Sequence, residues 1–257
     1  MMKNPVVAVV SPKGGNGKTT VSANLAVAMA RLSAPIVVDL DVHFGDIEYA
    51  FRLQPFHRLD SAVIALRERP QEGVEHFLTL HPAGLAALCA PSDPVSADYL
   101  SADEAFTVVD ALIELERPVI LDTAGGISDF TLGALDRATE VVMVCGTDVP
   151  SVQAVKKLLE TMDRLEMDTT HAHLVVNRST ARCGLSVADV ELATGRKSAF
   201  EIPEHQSLAA GMNQGCPVTE SDPGSSAGAP FLKFANSLLG VDRNRSSKFG
   251  RFAKVDA

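Results

Sequence analysis

The sequence predicts an α/β fold, a doubly wound and mostly parallel sheet flanked by helices. Three observations carry that reading. Short apolar runs alternate with longer amphipathic stretches along the 257 residues. The first apolar run leads straight into a glycine-rich turn and then a helical pattern. Aromatic residues are scarce, at 5% with no Trp, so the core must be built from Val, Leu, Ile and Ala, as in parallel sheets covered on both faces.

Val6 to Val10 is a continuous apolar run of strand length that enters the glycine turn. Thr19 to Leu32 follows as a helix, with Val21, Leu25, Ala28, Met29 and Leu32 spaced to share one face. Further strands are predicted at Ile36–Leu40, Pro118–Asp122, Glu140–Cys145, His173–Asn177 and Ala199–Pro203. Between them, Asp103–Glu116, Ser151–Leu165 and Val187–Thr194 have helical spacing. The stretch Phe51–Ser101 is less regular, with a helix at His57–Arg67 and a loop from Pro82 to Pro94. Pro217 to Pro230 is rich in Pro, Gly and Ser and predicts a long surface loop before a closing helix, Ala229–Leu239. Residues 1–240 thus form one domain. From Val241 onward five basic residues face only Asp242 and Asp256, a net charge of +3 on an otherwise acidic chain. That segment, 241–257, reads as a disordered, solvated tail. Phe249, Phe252 and Val255 at threefold spacing offer the alternative of a short interfacial helix, which Gly250 weakens.

Composition excludes several classes. Hydrophobic content of 46% with 21% charged residues is that of a packed protein rather than a disordered one. A net charge of −9 and a pI near 5.2 argue against nucleic-acid binding through the overall field. No apolar run reaches the roughly 18 residues of a membrane span. The Met-Met-Lys-Asn-Pro start lacks the apolar core of a signal peptide, so a cytoplasmic protein is expected. Cys89, Cys145, Cys183 and Cys216 form no C-x-x-C pair and read as structural thiols.

The chemistry begins at Ser11-Pro-Lys-Gly-Gly-Asn-Gly-Lys-Thr-Thr20. Its end fits the phosphate-binding pattern G-x-x-x-x-G-K-[ST], but counting back puts Pro12 where the first glycine belongs, and Lys13 adds a second cation. Gly14, Gly15 and Gly17 let the backbone close around phosphates, with Asn16 between them and Thr20 just beyond. The helix N-terminus aims N–H groups at an anion. Lys18 supplies charge to the β- and γ-phosphates, and Thr19 a hydroxyl to Mg²⁺. Asp39 and Asp41 close the second strand, and Asp122-Thr-Ala-Gly-Gly126 closes the third. In a doubly wound sheet these strand ends lie beside the phosphate loop, where acids suit a magnesium shell or a water near the γ-phosphate.

Lys13-Gly-Gly-Asn-Gly-Lys-Thr-Thr20 resembles the deviant Walker A motif, KGGxGKTT, of the ParA/MinD family of dimeric ATPases, and the resemblance runs from Val6 to Gly240. It implies a protein that binds ATP with Mg²⁺, forms a homodimer when ATP-bound and hydrolyses ATP slowly under stimulation by a partner. It implies that Lys13 reaches across the dimer to the partner's nucleotide, that Asp41 positions the attacking water, and that Asp39 and Asp122 serve the magnesium shell through waters. Asn177 matches the adenine-contacting asparagine. Arg178, Ser179 and Thr180 after it do not make the guanine-reading N-K-x-D pattern, so ATP is expected rather than GTP. Phe44-Gly-Asp46 after the second strand resembles the CpaE/TadZ branch, as do Gly84–Ser92 and Asp148–Ser151. That implies a protein partner in a pilus, secretion or positioning system. Many members carry a receiver-like domain ahead of the first strand, whereas here five residues precede it. DNA binding and membrane cycling, as in other branches, are the alternatives. Gly125 to Phe130 lacks the cluster-ligating cysteine of nitrogenase-type iron proteins.

Overall fold

The computed structural model describes residues 4–69, 71–182 and 184–241. The eight strands among the described residues form one sheet in the order β3-β4-β2-β5-β1-β6-β7-β8, with β8 (Ser198–Ile202) at one edge and β3 at the other, parallel except for β3. The central strands are β1 (Val6–Val10), β2 (Ile36–Leu40), β5 (Val119–Thr123), β6 (Glu140–Cys145) and β7 (Ala172–Asn177). Every residue of β1, β2, β5 and β6 is buried, as expected where helices cover both faces. Side chains alternate between two cores: Val6, Ala8 and Val10 enter one, Val7 and Val9 the other.

One core is covered by α3 (Leu59–Glu68), α5 (Ala102–Ile113), α6 (Asp129–Arg137), α7 (Val149–Arg164) and α8 (Val187–Thr194). The other is covered by α1 (Lys18–Ala30), α2 (Ile47–Ala50), α9 (Gln206–Gln214), α10 (Val218–Ser221) and α11 (Ala229–Leu238). Of these, α2, α6 and α9 lay in stretches where the sequence predicted no helix. Helix α1 is buried from Val21 through Met29, not along a single stripe, because it is sandwiched between the sheet and α10 and α11. Leu32 was expected on its apolar face, yet it lies past the helix end in a turn and is exposed.

Two predicted loops turn out to contain structure. Pro82–Pro94 holds β4 (Ala86–Leu88), buried and parallel to β2, with β3 (Thr79–Leu80) turned back against it. Alanine has little strand propensity, so the partner strand rather than the local sequence makes this a strand. Beyond it come α4 (Pro94–Asp98) and its Asp93 cap. Pro217–Pro230 contains α10, whose Val218 and Thr219 are fully buried. Thr219 donates from both N–H and hydroxyl to Asn24 Oδ1 in the middle of α1 (3.0 and 3.1 Å), anchoring the segment. The basic tail lies outside the described residues. Cys89 and Cys145 are buried free thiols and Cys216 a half-buried one; Cys183 is outside the described residues.

Strand β1 sits between β5 and β6, and the chain runs outward from it in both directions. At that reversal the loops leaving β1, β2 and β5 gather at one end of the sheet.

Candidate functional site

The loop from Ser11 to Gly17 joins β1 to α1, and it is held from outside rather than by its own backbone. Asn16 is buried, with its amide donating to Ser11 Oγ at 2.9 Å and its Oδ1 accepting from Ser151 Oγ at 2.9 Å. Its carbonyl accepts from Asn177 Nδ2 at 2.8 Å. Asn16 therefore shapes the loop with its side chain, leaving only its N–H for a ligand. Gly17 has φ 91°, and a Cβ there would lie 2.5 Å from Asn177 Nδ2, so both backbone geometry and crowding require glycine. The N–H groups of Lys13 through Gly17 donate to no backbone carbonyl among the described residues. They form, with the N-terminus of α1, a set of unspent donors suited to phosphates. Lys18, Thr19 and Thr20 open α1, with the Lys18 side chain buried beside the loop.

Opposite stand the carboxylates. Asp39 on β2 and Asp122 on β5 are register partners, and both are buried. Asp39 Oδ1 accepts from Asp41 N (3.2 Å) and Oδ2 from Ile47 N (3.1 Å), so both its oxygens hold the loop that follows β2. A Cβ on Gly45 would meet Asp39 Oδ2 at 2.4 Å, so glycine is needed for that loop to close over the carboxylate. Burial, and then the charge of Asp122, push the Asp39 carboxyl well above the usual carboxylate range. Asp122 is raised to about 6, chiefly by burial and against the hydroxyls of Ser22 and Thr19 and the charge of Lys18. Ser22 Oγ donates to Asp122 Oδ1 at 2.7 Å, while Oδ2 is buried with no partner. Asp41, half-buried, accepts from Phe44 N at 3.3 Å. The Gly125 turn after β5 packs on the Gly14 backbone, bringing that loop against the phosphate loop.

These groups fit a magnesium ion. A buried carboxylate oxygen without a donor is costly, and a metal or its water would satisfy it. Among the described residues no three His, Cys, Asp or Glu side chains gather as a dedicated cage. A magnesium ion in such a loop does not need one, because phosphate oxygens and waters complete its shell. Thr19 and Asp122 are the residues with capacity to hold it. Asp39, its register neighbour, already accepts one N–H on each oxygen and so has less capacity left for a metal-bound water than Asp122.

Lys13, expected to reach a second subunit's nucleotide, bonds its own chain in the single subunit: Nζ lies 2.7 Å from Asp148 Oδ1, with the two side chains 40% and 46% exposed. Asp148 caps α7, accepting from Ser151 N at 2.9 Å and Ser151 Oγ at 2.7 Å. Partial burial works against its charge, but these bonds and Lys13 outweigh it and hold the carboxyl down to about 2.

Asn177 ends β7 and lines two adjoining cavities of about 260 and 610 Å³, shared with Arg178 and Glu204. Its Oδ1 accepts from Arg178 N at 2.9 Å, so one amide hydrogen and one lone pair remain for a base. Sequence reasoning missed Ser22, Asp148, Arg178 and Glu204. Ser22 had a local signal, three residues after Thr19 on the same helix face, and Asp148 lay in the Asp148–Ser151 motif without a site role being read from it.

The chain is 28% identical over 241 residues to an ATP-binding protein of Methanocaldococcus jannaschii, covering 91% of this chain and 88% of that one. The ParA family ATPase of Chlorobium tepidum superposes with a TM-score of 0.83 at 18% identity, over 90% of this chain and 98% of that one. The septum site-determining protein MinD of Pyrococcus horikoshii, solved with Mg-ADP, gives a TM-score of 0.78 at 18% identity, over 90% and 94%. At that identity the two structures establish the fold. Residues 7–218 match the CobQ/CobB/MinD/ParA nucleotide binding domain, and with most of its length so matched this chain belongs to the ParA/MinD family.

Proposed function

We propose that the protein binds MgATP in the Lys13–Thr20 loop, pairs with a second copy while ATP is bound, and hydrolyses it slowly until a partner protein accelerates the step. The observation that carries this reading is the meeting of the unspent loop N–H groups and buried Lys18 with an unpartnered Asp122 oxygen. Lys18 neutralises the β/γ-phosphates. Thr19 and Asp122 hold the metal, which when bound spreads the charge of those oxygens. Asn177 and its cavities take the adenine. Asp41, on the solvent side of the carboxylate pair, orients the attacking water and accepts its proton.

Lys13 has no phosphate left to serve in cis, because Lys18 fills that role. Two triphosphates facing each other repel strongly in a partly dehydrated interface, and a lysine from each side offsets that repulsion. The Asp148 contact is then a resting position from which Lys13 must be released. Such a molecule is a timed switch rather than a metabolic enzyme. The Phe44-Gly-Asp46 turn, closed over Asp39, supports placing it with proteins that position a pilus or secretion apparatus.

Light scattering with a non-hydrolysable ATP analogue tests the core of the proposal. Wild type should dimerise with the analogue and not with ADP, and Lys13→Ala should bind the analogue yet stay monomeric. A Lys13→Ala protein that dimerises like wild type removes the role in trans. ATP-dependent retention on DNA, or on anionic vesicles, would move the protein to a partition or membrane-cycling role instead.

A further inference from the structure

We infer that Ser22 is a positioning residue for the metal: it holds one oxygen of Asp122 so that the other is kept for the shell of the ion bound with nucleotide. The inference rests on the reading of the site as a MgATP site. Ser22 is fully buried inside α1, where a serine hydroxyl commonly bonds the carbonyl four residues back. Here it donates to Asp122 Oδ1, 100 residues away in sequence, at 2.7 Å, the short distance of a charge-assisted bond.

Thr19 and Ser22 are three residues apart, so both hydroxyls lie on the helix face toward β5. Ser22 engages Oδ1 in bonding geometry. The Thr19 hydroxyl also faces the carboxylate and favours its charge, while Oδ2 is buried without a donor in bonding geometry. The carboxylate is therefore held asymmetrically. Its terminal torsion is a soft, two-fold rotor, and among the described residues the Ser22 bond is the hydrogen bond that fixes it. Asp39 is a poorer substitute, because each of its oxygens already accepts an N–H, from Asp41 and from Ile47. Removing the Ser22 hydroxyl would leave Asp122 free to turn and would raise the cost of its charge, without touching the loop that binds phosphate.

The test uses the full chain with Mn²⁺ as the metal and ADP as the nucleotide. Free Mn²⁺ is read by electron paramagnetic resonance, and ADP binding is measured separately by calorimetry in EDTA. Ser22→Ala should weaken Mn²⁺ binding to the ADP complex about 10-fold or more, the usual cost of losing an outer partner of a metal ligand. ADP affinity in EDTA should not change, and Ser22→Thr, which restores the hydroxyl, should restore Mn²⁺ binding. If Ser22→Ala does not fold, Ser22→Cys carries the comparison, because it keeps the volume with a weaker donor. Wild-type Mn²⁺ affinity in the variant that lacks the hydroxyl overturns the inference, as does an equal loss of ADP affinity in EDTA. If wild type itself shows no linkage between Mn²⁺ and ADP, the MgATP reading fails instead, so the two failures are distinct.

Discussion

Lys13 and Asp148 are 135 residues apart in sequence and form an ion pair at 2.7 Å across the mouth of the phosphate loop. The lysine proposed to act on a second subunit's nucleotide is thus engaged within its own chain. Both side chains are part exposed, so the pair contributes only about 0.2–1 kcal/mol. Asp148→Asn keeps the cap on α7 but removes the charge that holds Lys13. ATP-dependent dimerisation should then strengthen by up to about 30-fold, because two such contacts, each worth up to about 1 kcal/mol, are released per dimer. Sedimentation across a concentration series would measure it, and weaker dimerisation would show that Asp148 supports the interface instead. Because Asp148 titrates at about 2, this contact should not respond to pH between about 5 and 8.

Lys18→Ala should weaken ATP binding about 100-fold or more, since charge-assisted bonds to two phosphates are lost at about 1.5–3 kcal/mol each. Circular dichroism should report an intact fold, because the loop is held by Asn16, Ser151 and Asn177 rather than by the lysine. Unchanged affinity by calorimetry would place the nucleotide elsewhere.

Asp41→Ala should retain ATP binding and slow phosphate release about 100-fold or more, the scale of a lost base. The ATP-bound dimer should then accumulate and be visible by light scattering. Wild-type phosphate release would remove Asp41 from the chemistry and leave Asp39 as the next candidate.

The carboxylate pair predicts a dependence of stability on pH. Asp122 titrates at about 6 in the folded chain, against about 3.9 when unfolded, so the native state binds the extra proton between those values. Stability without ligand should therefore fall as pH rises from about 4 to about 6, with Asp39 acting in the same direction. Asp122→Asn should flatten that slope in thermal unfolding. Metal competes with the same proton, so Mn²⁺ binding to the ADP complex should strengthen as pH rises through about 6. A wild-type slope in Asp122→Asn would assign the effect to other groups.

Local pattern made much of this molecule legible. Six strands follow from apolar runs, because a strand buried on both faces must be apolar throughout, and β1, β2 and β6 end where those runs end. The phosphate loop was readable because strand, glycine turn and helix are contiguous, and Asp39, Asp41 and Asp122 because each ends a strand. What could not be read are pairings between distant segments. Ala86–Leu88 is a strand because β2 lies beside it, and Val218–Ser221 is a helix anchored by its buried Val218 and Thr219 because Asn24 receives Thr219. Ser22 meets Asp122, and Lys13 meets Asp148, only once separate strands share one sheet. Periodicity describes which face a residue occupies along its own element. It carries no information on which other element will stand opposite, and that is settled by burial and hydrogen bonding across the closed fold.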